Sequence, residues 1–231
     1  MDLVQMRSPR DLAAVRSWDA GDPLRSFRDR FDLPPNVVYL DGNSLGALPR
    51  ATGQRIARVV ADEWGGGLIR SWNDCDWIRA PRRVGDKIAG LIGAAPGEVI
   101  VADSTSVNLF KLVSAALAAR PGRREILSEP GNFPTDLYVL DGVLRNRPAL
   151  SLRLEPAERL IDCIGEDTAV VVLTHVHYKT AAMHDMRAIT ERAHANGALV
   201  VWDLSHSAGA LQVDLNGCNA DFAVGCGYKY L

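Results

Sequence analysis

The sequence predicts an α/β fold with a mainly parallel, doubly wound sheet. From about residue 95 onward, short apolar runs rich in β-branched residues alternate with longer amphipathic stretches. The runs are apolar at nearly every position, as in TAVVVLTHV (168–176). Strands of this kind are buried on both faces, which is typical of a parallel sheet covered by helices on either side. At 231 residues and 47% apolar content, the chain can bury one large core.

The elements follow in order along the chain. Residues 1–40 are expected to form an N-terminal segment, and residues 41–231 an incomplete large ligand-binding domain. Helices are predicted near 50–64 and 80–93, with the glycine- and tryptophan-rich stretch 65–78 as a loop between them. Further helices are predicted at 107–119, after GNFPTD (131–136), and at 185–196, where Asn196-Gly197 is a typical helix end. The predicted strands are EVIVAD (98–103), REILSE (124–129), ALSLRLE (149–155), TAVVVLTHV (168–176), ALVVWDLS (198–205) and ADFAVGCG (220–227).

Composition excludes several classes of protein. The net charge of −2 provides no basic field for nucleic acid or an anionic membrane. No stretch approaches the roughly 20 apolar residues that span a bilayer, and the N-terminus lacks the apolar core of a signal peptide. The four cysteines lie far apart, as expected for reduced thiols. We therefore expect a cytoplasmic protein.

Polar residues follow several predicted strands at the point where each strand ends. They lie at 103–106, 174–175, 203–206 and 225–229. In open parallel sheets, ligands bind beyond the carboxyl ends of the strands. The sequence therefore predicts a ligand site at this edge of the sheet.

Asp203 and Lys229 indicate which ligand binds there. Each follows a buried strand, and 26 residues separate them. Alone, Asp203 is as easily a helix N-cap and Lys229 a solvated cation. Together they match a pyridoxal 5′-phosphate (PLP) site, in which a carboxylate keeps the pyridine nitrogen protonated and a lysine holds the aldehyde.

Other residues complete this prediction. Thr105 and Ser106 carry hydroxyls at the start of a helix, where free N–H groups favour a phosphate, although a plain helix cap has the same pattern. Phe133 is a candidate to stack on the ring, or else a core aromatic. His206 is a candidate member of the site, or else a packed histidine. His175 and His177 alternate on one strand face, but no third ligand has suitable spacing, so we predict no metal site.

The strand-end motifs resemble those of the kynureninases, a family of fold-type I PLP enzymes. The resemblance rests on VVWDLSHSAGA (200–210) followed by ADFAVGCGYKYL (220–231). Supporting segments are VYLDGNSLGALP (38–49), SWNDCDWI (71–78), DSTSVNLFKLVSAAL (103–117), EPGNFPTDLYVL (129–140) and LTHVHYKTAAMHDM (173–186). The D-x-x-H and Y-K-Y elements differ from the cysteine desulfurases, which more typically have D-x-x-Q and a histidine before the lysine. Gly227 stands where the family usually has serine.

The resemblance implies a sheet of the PLP-dependent transferase (aspartate aminotransferase-like) type and a role for each matching residue. Lys229 would hold the cofactor and move the proton at the substrate Cα, with Tyr228 assisting. Asp203 would pair with the pyridine nitrogen, and His206 would reach the ring hydroxyl. The other implied cofactor contacts are Thr105, Ser106 and Tyr228 to the phosphate, and Phe133, Asp136 and Thr174 around the ring. Asn43, Ser44 and Trp72 would lie near the aromatic end of the substrate.

The implied reaction is hydrolysis of L-kynurenine, or its 3-hydroxy form, to anthranilate or 3-hydroxyanthranilate and L-alanine, a step of tryptophan catabolism and NAD biosynthesis. Trp72 favours the plain form, and the family implies a homodimer. Family members also continue past the lysine into a glycine-rich loop and a small C-terminal domain with an arginine for the substrate carboxylate. Because these are not among the 231 residues, we expect poor turnover by this chain. The alternatives are a desulfurase-like PLP lyase and an inactive PLP-binding fragment.

Overall fold

The computed structural model describes residues 12–145 and 147–231. The chain divides into two compact units. One comprises the described residues up to Leu40 together with Ala47–Ser71, and the other comprises Asp41–Gly46 and Trp72–Leu231. Most of the N-terminal stretch on which the signal-peptide prediction rests lies outside the described residues.

The first unit is small and mostly helical. Its strands β1 and β2 are two residues each and pair antiparallel, with Phe31 opposite Pro49. The predicted helix at 50–64 is confirmed as an α-helix that continues into a π-helical turn. The bounds are α1 Leu12–Gly21, β1 Phe31–Asp32, β2 Leu48–Pro49, α2 Arg50–Arg58, the π-turn Val59–Trp64 and α3 Gly65–Gly67.

The second unit is built on a five-stranded parallel sheet in the order β4-β3-β5-β6-β7. The strands are β3 Glu125–Ser128, β4 Ser151–Leu154, β5 Thr168–Thr174, β6 Leu199–Asp203 and β7 Phe222–Val224. The helices are α4 Ser71–Asp74 (its first residue belonging to the other unit), α5 Ala80–Ile92, α6 Thr105–Ala119, α7 Pro134–Leu144, α8 Ala157–Cys163 and α9 Met186–Ala195.

Helices cover both faces of this sheet, which confirms the doubly wound prediction. Alternate residues of each strand point to opposite faces. On β6, Val200 and Trp202 pack into a core with α8 and α9, whereas Val201 packs into a second core with α6 and α7. Every residue of β5 and β6 is buried, which is why their sequences are apolar throughout.

Two predictions about elements were wrong. Residues 98–103 form no strand. Their Val101 N–H donates instead to the carbonyl of Pro81, 3.2 Å away, and a Cβ at Gly85 would overlap the carbonyl of Val99, so this run lies against α5. Residues 65–78 are also not one loop, because they contain α3, α4 and two short 3-10 turns at Leu68–Arg70 and Trp77–Arg79. Helix α8 was not predicted.

The carboxyl ends of the strands converge at one edge of the sheet, because all five strands run in the same direction. Thr174 at the end of β5 stands opposite Asp203 at the end of β6, and Asp203 opposite Val224 of β7. The residues beyond these ends therefore come together. Among the helices of the described residues, none is both long enough and apolar enough to cross a membrane.

Candidate active site

Asp203 lies at the floor of the site. Its side chain is 2% exposed because strands flank β6 on both sides. The Oδ1 atom accepts hydrogen bonds from Ser205, through the backbone N–H at 2.9 Å and the hydroxyl at 2.6 Å. Burial raises the pKa of Asp203, whereas the bonds from Ser205 and the nearby His206 and Lys229 lower it. The carboxyl group is thus held in one position, with two stabilising donors from its own turn.

Asp136 is a second buried carboxyl group beside the first. Asn132 Nδ2 donates to its Oδ2 at 3.2 Å, and the same Asn132 accepts the Thr174 N–H at 2.6 Å. Burial and the charge of Asp203 raise the pKa of Asp136 to about 7. Because the two buried carboxyl groups repel each other when both are ionised, a proton on Asp136 relieves this repulsion near neutral pH. This part of the site is therefore ready to interact with a bound group that carries a proton or positive charge.

Lys229 reaches the same space from the segment that follows β7. Its Nζ lies 2.7 Å from His206 Nε2 and 5.6 Å from the centre of the Phe133 ring. Burial and the charge of Lys229 lower the pKa of His206, so the imidazole is neutral and accepts a hydrogen bond from the amine. The other ring nitrogen of His206, Nδ1, is buried and has no hydrogen-bond partner among the described residues. A buried ring nitrogen needs a hydrogen-bond partner, and the described residues supply none.

Hydroxyl groups line the opposite part of the cavity, at the start of α6. Ser104 caps this helix by accepting the Val107 N–H at 3.4 Å, so the cap is Ser104 and not Thr105. The Thr105 hydroxyl donates to the carbonyl of Gly225 at 3.1 Å, which joins the helix to the end of β7. Burial and the neighbouring Cys226 raise the pKa of Tyr228, so its hydroxyl stays protonated and can donate. Hydroxyls beside a helix N-terminus form a suitable place for a phosphate.

One cavity brings most of the predicted residues together. Asp203, Lys229, Phe133 and the α6 hydroxyls all face it. Thr174 does not line the cavity, but Asn132 links it to Asp136, which does. Asn43, Ser44 and Trp72 do not line it: Ser44 donates to Asp41 at 2.7 Å, and Trp72 packs edge-on to Trp77. The lining residues are Thr105, Ser106, Phe133, Thr135, Asp136, Asp203, Ser205, His206, Tyr228 and Lys229.

Sequence reasoning missed three residues of the site. Asn132 orients Asp136 and ties it to Thr174, Ser205 holds Asp203, and Thr135 lines the cavity. The signal for Ser205 was present, because a serine two residues after an aspartate commonly closes a turn onto that carboxylate. No pattern in the sequence indicates the role of Asn132, because its partner Thr174 lies 42 residues further along the chain.

The histidines next to the cavity belong to the packing beneath it. His175 packs edge-on to Trp202, and His184 pairs with the buried Glu129 at 3.1 Å. Burial and the neighbouring His184 lower the pKa of His175. Within residues 12–145 and 147–231, no three His, Cys, Asp or Glu side chains come together as a metal site requires.

Comparison with protein families matches residues 38–231 to "Aminotransferase class-V". Curated relatives at 53% identity include the kynureninase of Burkholderia pseudomallei (strain 1106a), over 220 residues, and that of Pseudomonas fluorescens, over 219 residues. Both alignments cover 92% of this chain and 53% of the relative. The chain thus spans about half the length of the curated relatives it matches.

Solved structures share the fold at much lower identity. A complex of the cystine C-S lyase C-DES with its product cysteine persulfide has a TM-score of 0.72 at 18% identity, covering 85% of this chain and 54% of that one. The cysteine desulfurase CsdA of Escherichia coli has a TM-score of 0.68 at 18% identity, covering 88% of this chain and 54% of that one. A further C-DES structure carries glycine linked to its PLP cofactor, with a TM-score of 0.74 at 17% identity, covering 88% of this chain and 56% of that one.

Proposed function

The chain belongs to the aminotransferase class-V family, and we propose that it supplies the PLP-binding part of an enzyme that hydrolyses kynurenine. The observation that carries this proposal is the cavity in which Lys229, His206 and the Asp136–Asp203 pair converge. The 53% identity to kynureninases supports the choice of substrate.

The residues of the cavity fit PLP. The cofactor has a protonatable ring nitrogen, a ring hydroxyl, an aldehyde and a phosphate. The cavity offers two buried carboxyl groups, a buried His206 nitrogen without a partner, a lysine amine and a set of hydroxyls beside a helix N-terminus. Each chemical group of the cofactor thus has a counterpart of suitable type.

Asp203 would hold a proton at the pyridine nitrogen. A carboxylate with 2% exposure needs such a partner, because burying an unpaired charge is costly. Asp136, whose pKa is raised to about 7, would carry a proton near neutral pH and so limit repulsion between the two carboxyl groups. Ser205 and Asn132 would keep both groups oriented.

Lys229 would bind the aldehyde through its amine. When bound, PLP supplies an electron-withdrawing ring that stabilises negative charge at the substrate Cα. His206 accepts a hydrogen bond from the Lys229 amine at 2.7 Å, which orients the nitrogen lone pair. The Lys229 amine would also move the proton at the substrate Cα.

Three hydroxyl-bearing residues would bind the phosphate. Ser106 and Thr105 lie in the first turn of α6, and Tyr228 precedes the lysine. Phe133, whose ring centre is 6.0 Å from that of His206, would provide an apolar face for the pyridine ring. This side chain would also exclude water from one side of the ring.

The overall reaction consumes one water molecule. The bond between Cβ and Cγ of kynurenine breaks, the water oxygen joins Cγ to give the carboxylate of anthranilate, and a proton joins Cβ to give alanine. Asn43, Ser44 and Trp72 are proposed contacts for the aromatic end of kynurenine. Because the sequence has Trp72 at this place, we propose that kynurenine is the preferred substrate over its 3-hydroxy form.

A desulfurase-like lyase is the second candidate, because C-S lyases and desulfurases share the fold. Their identity to this chain is 18%, against 53% for the kynureninases, and the D-x-x-H element at Asp203–His206 departs from the desulfurase pattern. A PLP-binding fragment without activity is the third candidate.

A homodimer in the cytoplasm is also part of the proposal. Four free cysteines support a reducing compartment. The family resemblance supports the dimer, and we propose residues 41–231 as the cofactor-binding domain. Sedimentation of the PLP-loaded protein would measure the assembly state.

The test combines cofactor binding with product analysis. We expect the purified chain to bind PLP with a visible absorption band that is absent in Lys229→Ala. With kynurenine it should release anthranilate slowly, detected by its fluorescence, in a Lys229-dependent manner. With cysteine it should release no sulfide. Lys179→Ala is the matched control, because Lys179 stacks on Tyr178 outside this cavity and should leave the band unchanged.

The outcomes separate the three candidates. Sulfide from cysteine without anthranilate from kynurenine would favour the lyase. A Lys229-dependent band without either product would favour the fragment. Equal PLP bands in Lys229→Ala and the parent protein would contradict the whole proposal.

A further inference from the structure

The backbone of residues 228–230 makes two unusually close approaches to distant parts of the chain. One is to Gly46, in the turn Asp41–Gly46, and the other is to Gly209, in the turn after His206. Both contact partners are glycines. In each case the approach is possible only because the glycine has no side chain.

At Gly46 the contact is with the lysine itself. The Gly46 N–H donates to the carbonyl of Tyr228 at 2.7 Å. A Cβ at residue 46 would overlap the carbonyl oxygen of Lys229 and would lie 3.4 Å from its carbonyl carbon. These atoms are backbone, so they cannot turn away as the end of a side chain could.

At Gly209 the contact is with the next peptide. A Cβ at residue 209 would overlap the carbonyl oxygen of Tyr230 and would lie 2.9 Å from its carbonyl carbon. Gly209 also has a φ of +82°, which favours glycine. Three residues before it, His206 contacts Lys229 Nζ, so one turn contacts both the side chain and the backbone of this segment.

From these contacts we propose that Gly46 and Gly209 are positioning residues for Lys229, an inference that rests on the proposed PLP binding. They let the backbone of residues 228–230 lie where the Lys229 amine reaches both His206 and the ring of Phe133. A methyl group at either position moves the lysine Cα, and the amine moves with it. Neither glycine lines the cavity, so the two act only through the lysine.

Two matched controls separate this role from general effects of alanine. Gly42 lies in the same turn as Gly46, but a Cβ there meets nothing within 4 Å. Gly122 has a φ of +93°, close to that of Gly209, and a Cβ there also meets open space. Gly122→Ala therefore reproduces the backbone strain of Gly209→Ala without the contact.

The experiment measures how PLP binds to the full 231-residue chain. Each variant is titrated with PLP by absorbance, then reduced with borohydride and digested. The labelled peptide distinguishes Lys229 from the other three lysines, at 87, 111 and 179. Thermal unfolding of each PLP-free variant is recorded in parallel.

We expect Gly46→Ala and Gly209→Ala to raise the Kd for PLP about tenfold or more, because overpacking displaces well-packed groups at substantial cost. The fraction of label on Lys229 should fall with them. The Kd of Gly42→Ala and of Gly122→Ala should stay within about twofold of the parent. Gly122→Ala should lose thermal stability from its strained left-handed backbone alone. Gly209→Ala should lose somewhat more, because its methyl group also displaces the Tyr230 peptide.

Every other result counts against the inference. A parent-like Kd in Gly46→Ala or in Gly209→Ala would overturn it. So would unfolding of both variants while their controls stay folded, because the glycines would then be purely structural. Failure of the parent itself to label Lys229 would overturn the proposed function, and the inference with it.

Discussion

Strand β5 and the segment 98–103 have similar sequences but different structures. TAVVVLT forms the central strand of the sheet, and its residues from Ala169 to Leu173 are completely buried. EVIVAD also has three β-branched residues in a row, yet it forms no strand, and its Ile100 is 59% exposed. An apolar run becomes a strand only when neighbouring strands accept its backbone hydrogen bonds.

The two segments also end differently. β5 ends at Thr174, which joins the buried hydrogen bonds around Asp136. The other run ends at Asp103, whose φ of +47° lies in the left-handed region and whose carboxylate pairs with Lys111 at 2.5 Å on the surface. The buried end of β5 therefore contributes to the hydrogen bonds that hold Asp136 in place, whereas the exposed run ends in a surface turn before α6.

The largest expected effect is on the buried side of this comparison. Leu173→Ala should lower the free energy of unfolding by about 2–5 kcal/mol, because it leaves a cavity in a fully buried strand. Ile100→Ala removes the same number of carbon atoms from an exposed position and should change it by no more than about 0.5 kcal/mol. Urea unfolding of both variants checks this. Similar losses would show that residues 98–103 are buried in solution.

The second effect concerns the pH dependence of stability that arises from Asp136, the buried carboxyl group that Asn132 links to the end of β5. The pKa of Asp136 is raised to about 7 in the folded chain, above the 3.8 of the free side chain. The protonated Asp136 therefore contributes its full stabilisation below pH 3.8, and this stabilisation is lost as the pH rises to about 7.

Asp136→Asn should remove this loss, because an amide resembles the protonated acid. Relative to the parent protein without PLP, the free energy of unfolding of the variant should rise by roughly 2.5 kcal/mol between pH 5 and pH 8. Urea unfolding at both pH values measures the difference. Asp141→Asn, an exposed position on the same helix, should show no such gain. A constant difference between Asp136→Asn and the parent would contradict the raised pKa.

The smallest effect belongs to the exposed end. Asp103→Asn keeps a residue that tolerates a left-handed φ but loses the ion pair with Lys111. The substitution should lower the free energy of unfolding by about 0.2–1 kcal/mol at low salt. The cost should disappear at 1 M salt, where the Debye length is about 3 Å. A cost unaffected by salt would mean that the carboxylate does more at this turn than pair with Lys111.

These differences show what the sequence could and could not predict. The strands β5 and β6 were predictable because burial on both faces makes every position apolar. Segment 98–103 was mispredicted because apolar periodicity does not say whether a neighbouring strand is present. Helix α8 is only seven residues long and has one buried residue, Leu160, so its pattern is weak.

The residues of the site were predictable to a similar extent. Strand ends are visible in the sequence, so the residues after them, including Asp203 and Lys229, could be placed at one edge of the sheet. Contacts between distant segments were not visible, as for Asn132 with Thr174 or Gly46 with Lys229. Those contacts depend on how close distant segments come in the folded chain, which the spacing of residues along the sequence does not show.

Location of the PLP label is the measurement that tests the central claim most directly. The PLP-loaded chain is reduced with borohydride, digested and mapped by mass spectrometry. We predict one reduced pyridoxyl group, on the peptide that contains Lys229, with Lys87, Lys111 and Lys179 unmodified. Label spread over these exposed lysines, or its persistence at the same level in Lys229→Ala, would contradict the proposal that the edge of this sheet is a PLP site.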